Sequence, residues 1–77
     1  MPAAHAVLNA PAIMCNHCKM AIEGAVGRLA GVQVVTVDVG AKSVAVDYDP
    51  ASVSLDRVEA VMAAEGYEVA GRHVFDP

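Results

Sequence analysis

Two hydrophobic periods alternate along this chain, and their order restricts the fold more than any single residue does. A period near two marks a half-buried strand, and a period near 3.6 marks an amphipathic helix. His5 to Ala10 alternates weakly, with Ala6, Leu8 and Ala10 on one side. Pro11 ends that strand, because proline brings no N–H to a sheet. Ala21, Ile22, Ala25, Val26 and Leu29 then recur at helical spacing and predict a first helix over about Asn16 to Leu29. Lys19, Glu23 and Arg28 fall outward. Gly24 and Gly27 each lower its propensity by about 1 kcal/mol against alanine, so packing must hold it. Gly31 reads as the glycine just past its end.

Val32 to Val39 is β-branched, with Val35, Val37 and Val39 on one side and Thr36 and Asp38 on the other. Gly40-Ala41-Lys42 is read as the turn of a hairpin that returns over Ser43 to Tyr48, with Val44, Val46 and Tyr48 inward. Asp49-Pro50-Ala51-Ser52 breaks the chain. Ser54 can cap a second helix, Asp56 suits its first turn, and Leu55, Val58, Val61 and Met62 form its inner stripe. That helix is expected to end near Glu65, with Gly66 closing it. Tyr67 to Ala70 is read as the last strand, Gly71 as a bulge, and Arg72 to Pro77 as either its extension or a frayed end.

The predicted order is β-α-β-β-α-β in one domain spanning residues 1–77. Each helix has one apolar stripe, so both should cover the same face of an antiparallel sheet. Right-handed crossovers in both split βαβ units give the ferredoxin-like α+β fold, with strand order 4-1-3-2. A chain of 77 residues buries only about 60% of its unfolded surface, and an apolar content of 56% helps to compensate. The net charge is −4 and the five Lys and Arg are scattered, which argues against a nucleic-acid partner. No apolar run is long enough to insert into a membrane. The first residues, Met1 to His5, have no basic and apolar leader pattern, so a cytoplasmic location is expected. In that compartment a cysteine pair reads as metal-binding or redox-active.

The chemistry concentrates in Met14-Cys15-Asn16-His17-Cys18-Lys19, which holds both cysteines. The pair is placed on a loop running into a helix N-terminus, where amide donors and the helix dipole favour an anion. Cys18, on the first turn, should therefore ionise more easily than a free thiol. Two close thiolates are soft donors and suit Cu(I) better than hard cations. Zinc, which prefers four ligands, ranks second. A thioredoxin-like redox role is the chemical rival, against which stand the short chain and the lack of a proline placed opposite the thiols. His17 could ligate an ion or bridge two chains, although residues inside such a loop usually face solvent. Lys19 sits at the unfavourable end of the helix dipole, so a role in offsetting thiolate charge or in meeting an acidic partner is expected of it rather than that of an ordinary exposed lysine. Met14 is an exposed thioether beside the pair and could act as a third, weak soft ligand, although an exposed side chain without a role or a partner contact is the simpler expectation. Met20 could extend an apolar patch with it, or be a surface accident. His5 and His73, on neighbouring strands, could come together at the far end. Two solvated histidines are the simpler expectation there.

This order, with Cys15-Asn16-His17-Cys18 on the first βα loop, resembles the heavy-metal-associated domain, a family that includes bacterial copper chaperones and modules of metal-exporting P-type ATPases. Ala21-Ile22 and Ala25-Val26, Gly31-Val32, Tyr48-Asp49-Pro50 and Gly66-Tyr67-Glu68-Val69 carry the resemblance over nearly the whole chain. It implies that Cys15 and Cys18 hold one Cu(I) roughly linearly, with Tyr67 packed beside them. It implies no enzyme activity, but hand-over of the ion by thiolate exchange. The implied receiver is a copper-exporting P-type ATPase, with a copper-sensing repressor as a second. The protein would be monomeric without metal, with a copper-bridged dimer as an alternative state. Met14, His17, Lys19, Met20 and Tyr67 would form the surface that selects the partner. The family motif has Met two residues before the first Cys. Ile13 stands there in this chain, so a similar apolar anchor with altered loop mobility is expected. Met1 and the early end after the last strand favour a free chaperone over an excised ATPase module.

Overall fold

The computed structural model describes residues 3–75. Its elements are β1 (Ala4–Asn9), α1 (Asn16–Gly27), β2 (Val32–Asp38), β3 (Ser43–Tyr48), α2 (Leu55–Ala64) and β4 (Gly71–Phe75). The four strands form one antiparallel sheet in the order β2-β3-β1-β4, the expected order read from the other edge. β1 and β3 are central, and their side chains alternate between two unlike faces. Ala4, Ala6 and Leu8 on β1 and Val44, Val46 and Tyr48 on β3 are buried. Ile22 and Val26 of α1 and Leu55, Val58 and Met62 of α2 join them in one core, so both helices cover that face. The other face carries His5, Val7, Ala45, Asp47 and His73, which are half-buried or exposed.

The turns follow from particular residues. Ser54 accepts from the Arg57 amide at 3.2 Å and seals the start of α2, with Asp56 in the first turn. At the other end the Tyr67 amide reaches the Met62 carbonyl at 2.9 Å and the Gly66 amide the Ala63 carbonyl at 3.0 Å. With Gly66 at φ +93° this is a Schellman closure. Asp49 organises the β3–α2 loop: its carboxylate accepts from the Ala51 amide and the Ser52 hydroxyl, and its own amide reaches Gly31 O at 2.7 Å.

Several expectations are corrected. α1 ends at Gly27, two residues before Leu29. Gly31 is left-handed, but it turns the chain into β2 and does not cap the helix. The last strand is Gly71–Phe75, not Tyr67–Ala70, and its pairing with β1 runs from Asn9↔Gly71 to His5↔Phe75 without a bulge. The Schellman turn sends Tyr67 toward α1, so the chain must travel to Ala70 before its amide meets Asn9 O at 2.8 Å. The expected extension of the strand holds to Phe75, and Asp76 and Pro77 lie outside the described residues. Glu23 is half-buried rather than outward, and its carboxylate accepts from the Val37 amide at 3.2 Å. It thereby occupies a donor on the β2 edge.

Gly31 shows how tightly the loops meet. It lies at φ +95°, and an added Cβ would stand 2.7 Å from Ser52 Cβ and 3.0 Å from Val53 Cγ1. At Gly66 the same φ region opens onto free space. We therefore expect Gly31→Ala to lose about 2–4 kcal/mol, from left-handed strain plus overpacking, and Gly66→Ala only about 1–2 kcal/mol. Urea unfolding of the two variants measures the difference, and equal losses would contradict the packing at Gly31.

Candidate metal centre

The site begins at Ala10, where β1 stops and the chain turns. The Ala10 amide donates to Lys42 O at 2.9 Å, and the Ile13 amide donates back to Ala10 O at 3.1 Å. Ile13 is fully buried, which ties the loop to the core and fills the apolar anchor role expected of it. Met14, the next residue, is 75% exposed. Cys15 follows as the N-cap of α1 with extended backbone and an exposed thiol. Cys18 sits one turn into α1 and is buried. Helical geometry brings its sulfur back toward the loop, and the two Sγ atoms are 3.9 Å apart.

The surroundings of Cys18 favour its thiolate. The Tyr67 hydroxyl contributes most to lowering its pKa, followed by the Met14 backbone amide, while burial opposes them. The Cys15 amide and thiol add to the lowering, and the Cys18 thiol falls from its ordinary 9.0 to about 7. Tyr67 moves the other way, above its ordinary 10.0, first because its hydroxyl serves Cys18 and then through burial and the nearby thiolates. The lowered Cys18 pKa agrees with the expectation from the sequence. Its leading cause is different: a hydroxyl arriving from beyond α2 outweighs the donors at the helix start. α1 leaves room for this charge, since it has no side-chain cap and no acidic residue in its first turn.

The other residues singled out from the sequence differ in exposure. His17 is exposed on the first turn of α1, and Lys19 is half-buried one residue after Cys18. Met20 is 71% exposed. Among the described residues no three or more His, Cys, Asp or Glu come close enough to hold an ion together. The two donors brought close together are the sulfurs of Cys15 and Cys18. At the far end, His5 Nδ1 pairs with Asp47. His73 lies opposite Val7, and both imidazoles lie against Phe75, with ring centroids 5.6 Å and 4.5 Å away. They are engaged side chains rather than a pair of freely solvated ones. One residue of the site escaped sequence reasoning: Lys42 Nζ donates to Ile13 O at 2.6 Å across 29 positions. Nothing periodic in the sequence marks that contact.

Fold and site together define a class: a small α+β domain presenting a surface dithiol on its first βα loop. The chain belongs to the heavy-metal-associated domain family, whose sequence model matches residues 7–68. It is 36% identical over 63 residues to the copper chaperone CopZ of Staphylococcus haemolyticus, covering 82% of this chain and 93% of that protein. The solution structure of apo-CopP from Helicobacter pylori aligns at 38% identity with a TM-score of 0.77, over 86% of this chain and 98% of that one. A structure titled CopZ metallochaperone aligns at 30% identity with a TM-score of 0.83, with the same coverage. Among the described residues no helix is long and apolar enough to cross a membrane.

Cys18 ionises more readily in the folded chain than in the unfolded one. The stability this adds is complete above about pH 9.0 and is lost as the pH falls through about 7. We expect the Cys18 thiol of the reduced protein, followed by its Cβ chemical shift, to titrate near 7. In Tyr67→Phe the midpoint should rise toward 9.0. A midpoint that stays put would remove Tyr67 from its leading role.

Proposed function

We propose that this single domain, residues 1–77, is a carrier of Cu(I) that holds one ion between Cys15 and Cys18. The observation that carries the reading is the dithiol itself: two soft donors 3.9 Å apart, one exposed and one buried, with no third His, Cys, Asp or Glu gathered around them among the described residues. Zinc takes four ligands in a closed site, whereas two thiolates satisfy a soft low-coordinate ion. With metal–sulfur bonds of about 2.3 Å, sulfurs on opposite sides of an ion stand about 4.6 Å apart, and in a trigonal plane about 4.0 Å apart. The observed separation is close to the trigonal value. Cys15 is exposed and free to swing outward to the wider spacing.

That geometry supports transfer. A partner's thiolate forms a third bond to the ion, Cys15 or Cys18 then breaks its own, and the ion changes hands with no change in oxidation state. The partner is a copper-exporting P-type ATPase, with a copper-sensing repressor as a second receiver, and the exchange takes place in the cytoplasm. Met14, His17, Lys19, Met20 and Tyr67 surround the exposed sulfur and form the surface presented to that partner. The metal-free chain is a monomer, and His17, exposed next to the thiols, is the residue that would enter a copper-bridged dimer. The protein is not an enzyme: its two sulfurs serve an ion passing through.

A second reading rests on the same sulfurs. A thiol titrating near 7 beside another thiol is also what a disulfide couple needs. The two readings separate in an anaerobic titration of reduced protein with Cu(I) against a chromophoric chelator. We expect one Cu(I) per chain, lost in Cys15→Ser and in Cys18→Ser, and passed to a second dithiol protein on mixing. Copper retained wholly by the chelator, alongside facile Cys15–Cys18 disulfide cycling, would make the redox reading the correct one.

A further inference from the structure

The β2–β3 turn contains an outlier. Val39 O accepts from the Lys42 amide at 3.3 Å, and Asp38 Oδ1 accepts from the Ala41 amide at 3.1 Å, so the chain reverses over Gly40 and Ala41. The residue that follows, Lys42, is left-handed with φ +54°. It is the only non-glycine residue with positive φ among those described. Glycine is the usual occupant of that place in a hairpin, because a Cβ strains the backbone there. Strain that a glycine would remove points to a function for the side chain that replaces it.

Every polar group of Lys42 is engaged, and two of them reach the thiol loop. Its carbonyl accepts from Ala10 at 2.9 Å, and its ammonium donates to Ile13 O at 2.6 Å. Ala10 and Ile13 bracket the turn that delivers Met14 and Cys15. We infer that Lys42 is a positioning residue of the metal site: it crosses from the hairpin to clamp the loop two residues before Cys15, and so governs how readily Cys15 moves during ion exchange. A backbone bond from the turn alone would fix Ala10, but the ammonium fixes the Ile13 carbonyl, two residues before the first thiol. A charged donor on a carbonyl is among the stronger hydrogen bonds, and this one is partly shielded by the loop it holds.

The transfer half of this inference rests on the carrier reading, and the positioning half does not. Lys42→Met keeps the apolar stem and removes the donor, Lys42→Arg keeps a donor, and Lys42→Gly removes both the side chain and the backbone strain. In metal-free reduced protein, Lys42→Met should raise amide hydrogen exchange at Met14 to His17 roughly tenfold. The β1 and β3 amides should be unchanged, and Lys42→Arg should remain near the wild type. Lys42→Gly should loosen the same amides while its urea midpoint holds or rises, an opposition that a merely structural lysine would not produce. With Cu(I) bound, Lys42→Met should release the ion to a chelator several-fold faster, at an affinity close to that of the wild type. Unchanged loop exchange in Lys42→Met, or an equal rise across the sheet, would overturn the inference. If wild-type protein holds no Cu(I), the carrier reading fails and the exchange data on the metal-free protein decide the role of Lys42 alone.

Discussion

The site depends on the burial of Ile13. A metal-carrying loop has to be open to a partner and still hold its ligands in register. One apolar side chain driven into the core meets both requirements. Fully burying an isoleucine contributes about 1.5–3 kcal/mol, enough to hold a short loop against its entropy. Ile13 is fully buried, and two residues later Cys15 is exposed. Because isoleucine is branched at Cβ, it settles into fewer side-chain conformations than the flexible methionine of the family motif. Met14, the next residue, keeps its thioether outside the core.

The two helices of this fold begin in opposite ways. α2 is closed by ordinary capping: a serine hydroxyl on the Arg57 amide and an aspartate in the first turn. α1 has neither, and carries Lys19 near a terminus that already favours negative charge. Its start is a receptor for negative charge, and Cys18 supplies it. The Schellman turn at Gly66 completes the arrangement from across the domain, since reversing the chain there brings Tyr67 to Cys18. A helix end, a loop and a tyrosine from separate parts of the sequence thus converge on one sulfur.

Much of this was legible in the residues themselves. The strand order followed from two apolar stripes and the handedness of crossovers, and Ser54 and Gly66 marked both ends of α2 by their residue types alone. The Cys pair announced its position because Pro11 and the stripe from Ala21 to Leu29 left only a loop between them. What escaped was long-range and polar. Glu23 looked like an outward helix residue, and no periodicity shows that a strand edge lies within its reach. Tyr67 to Ala70 has the composition of a strand, but the turn at Gly66 spends those residues on reaching Cys18 and returning to the sheet, so pairing starts at Gly71. Lys42 looked like an ordinary turn residue. Its left-handed backbone and its reach to Ile13 arise only once the hairpin and the loop are side by side.

The missing cap on α1 has a consequence for the life of the molecule. An ion held by Cys15 and Cys18 would keep both sulfurs ionised at neutral pH, as metal binding to thiols generally does. The helix start would then receive its negative charge from the cargo. In that case binding an ion and supplying charge to the start of the first helix would be one event, and losing the ion would leave that end dependent again on the pH around it.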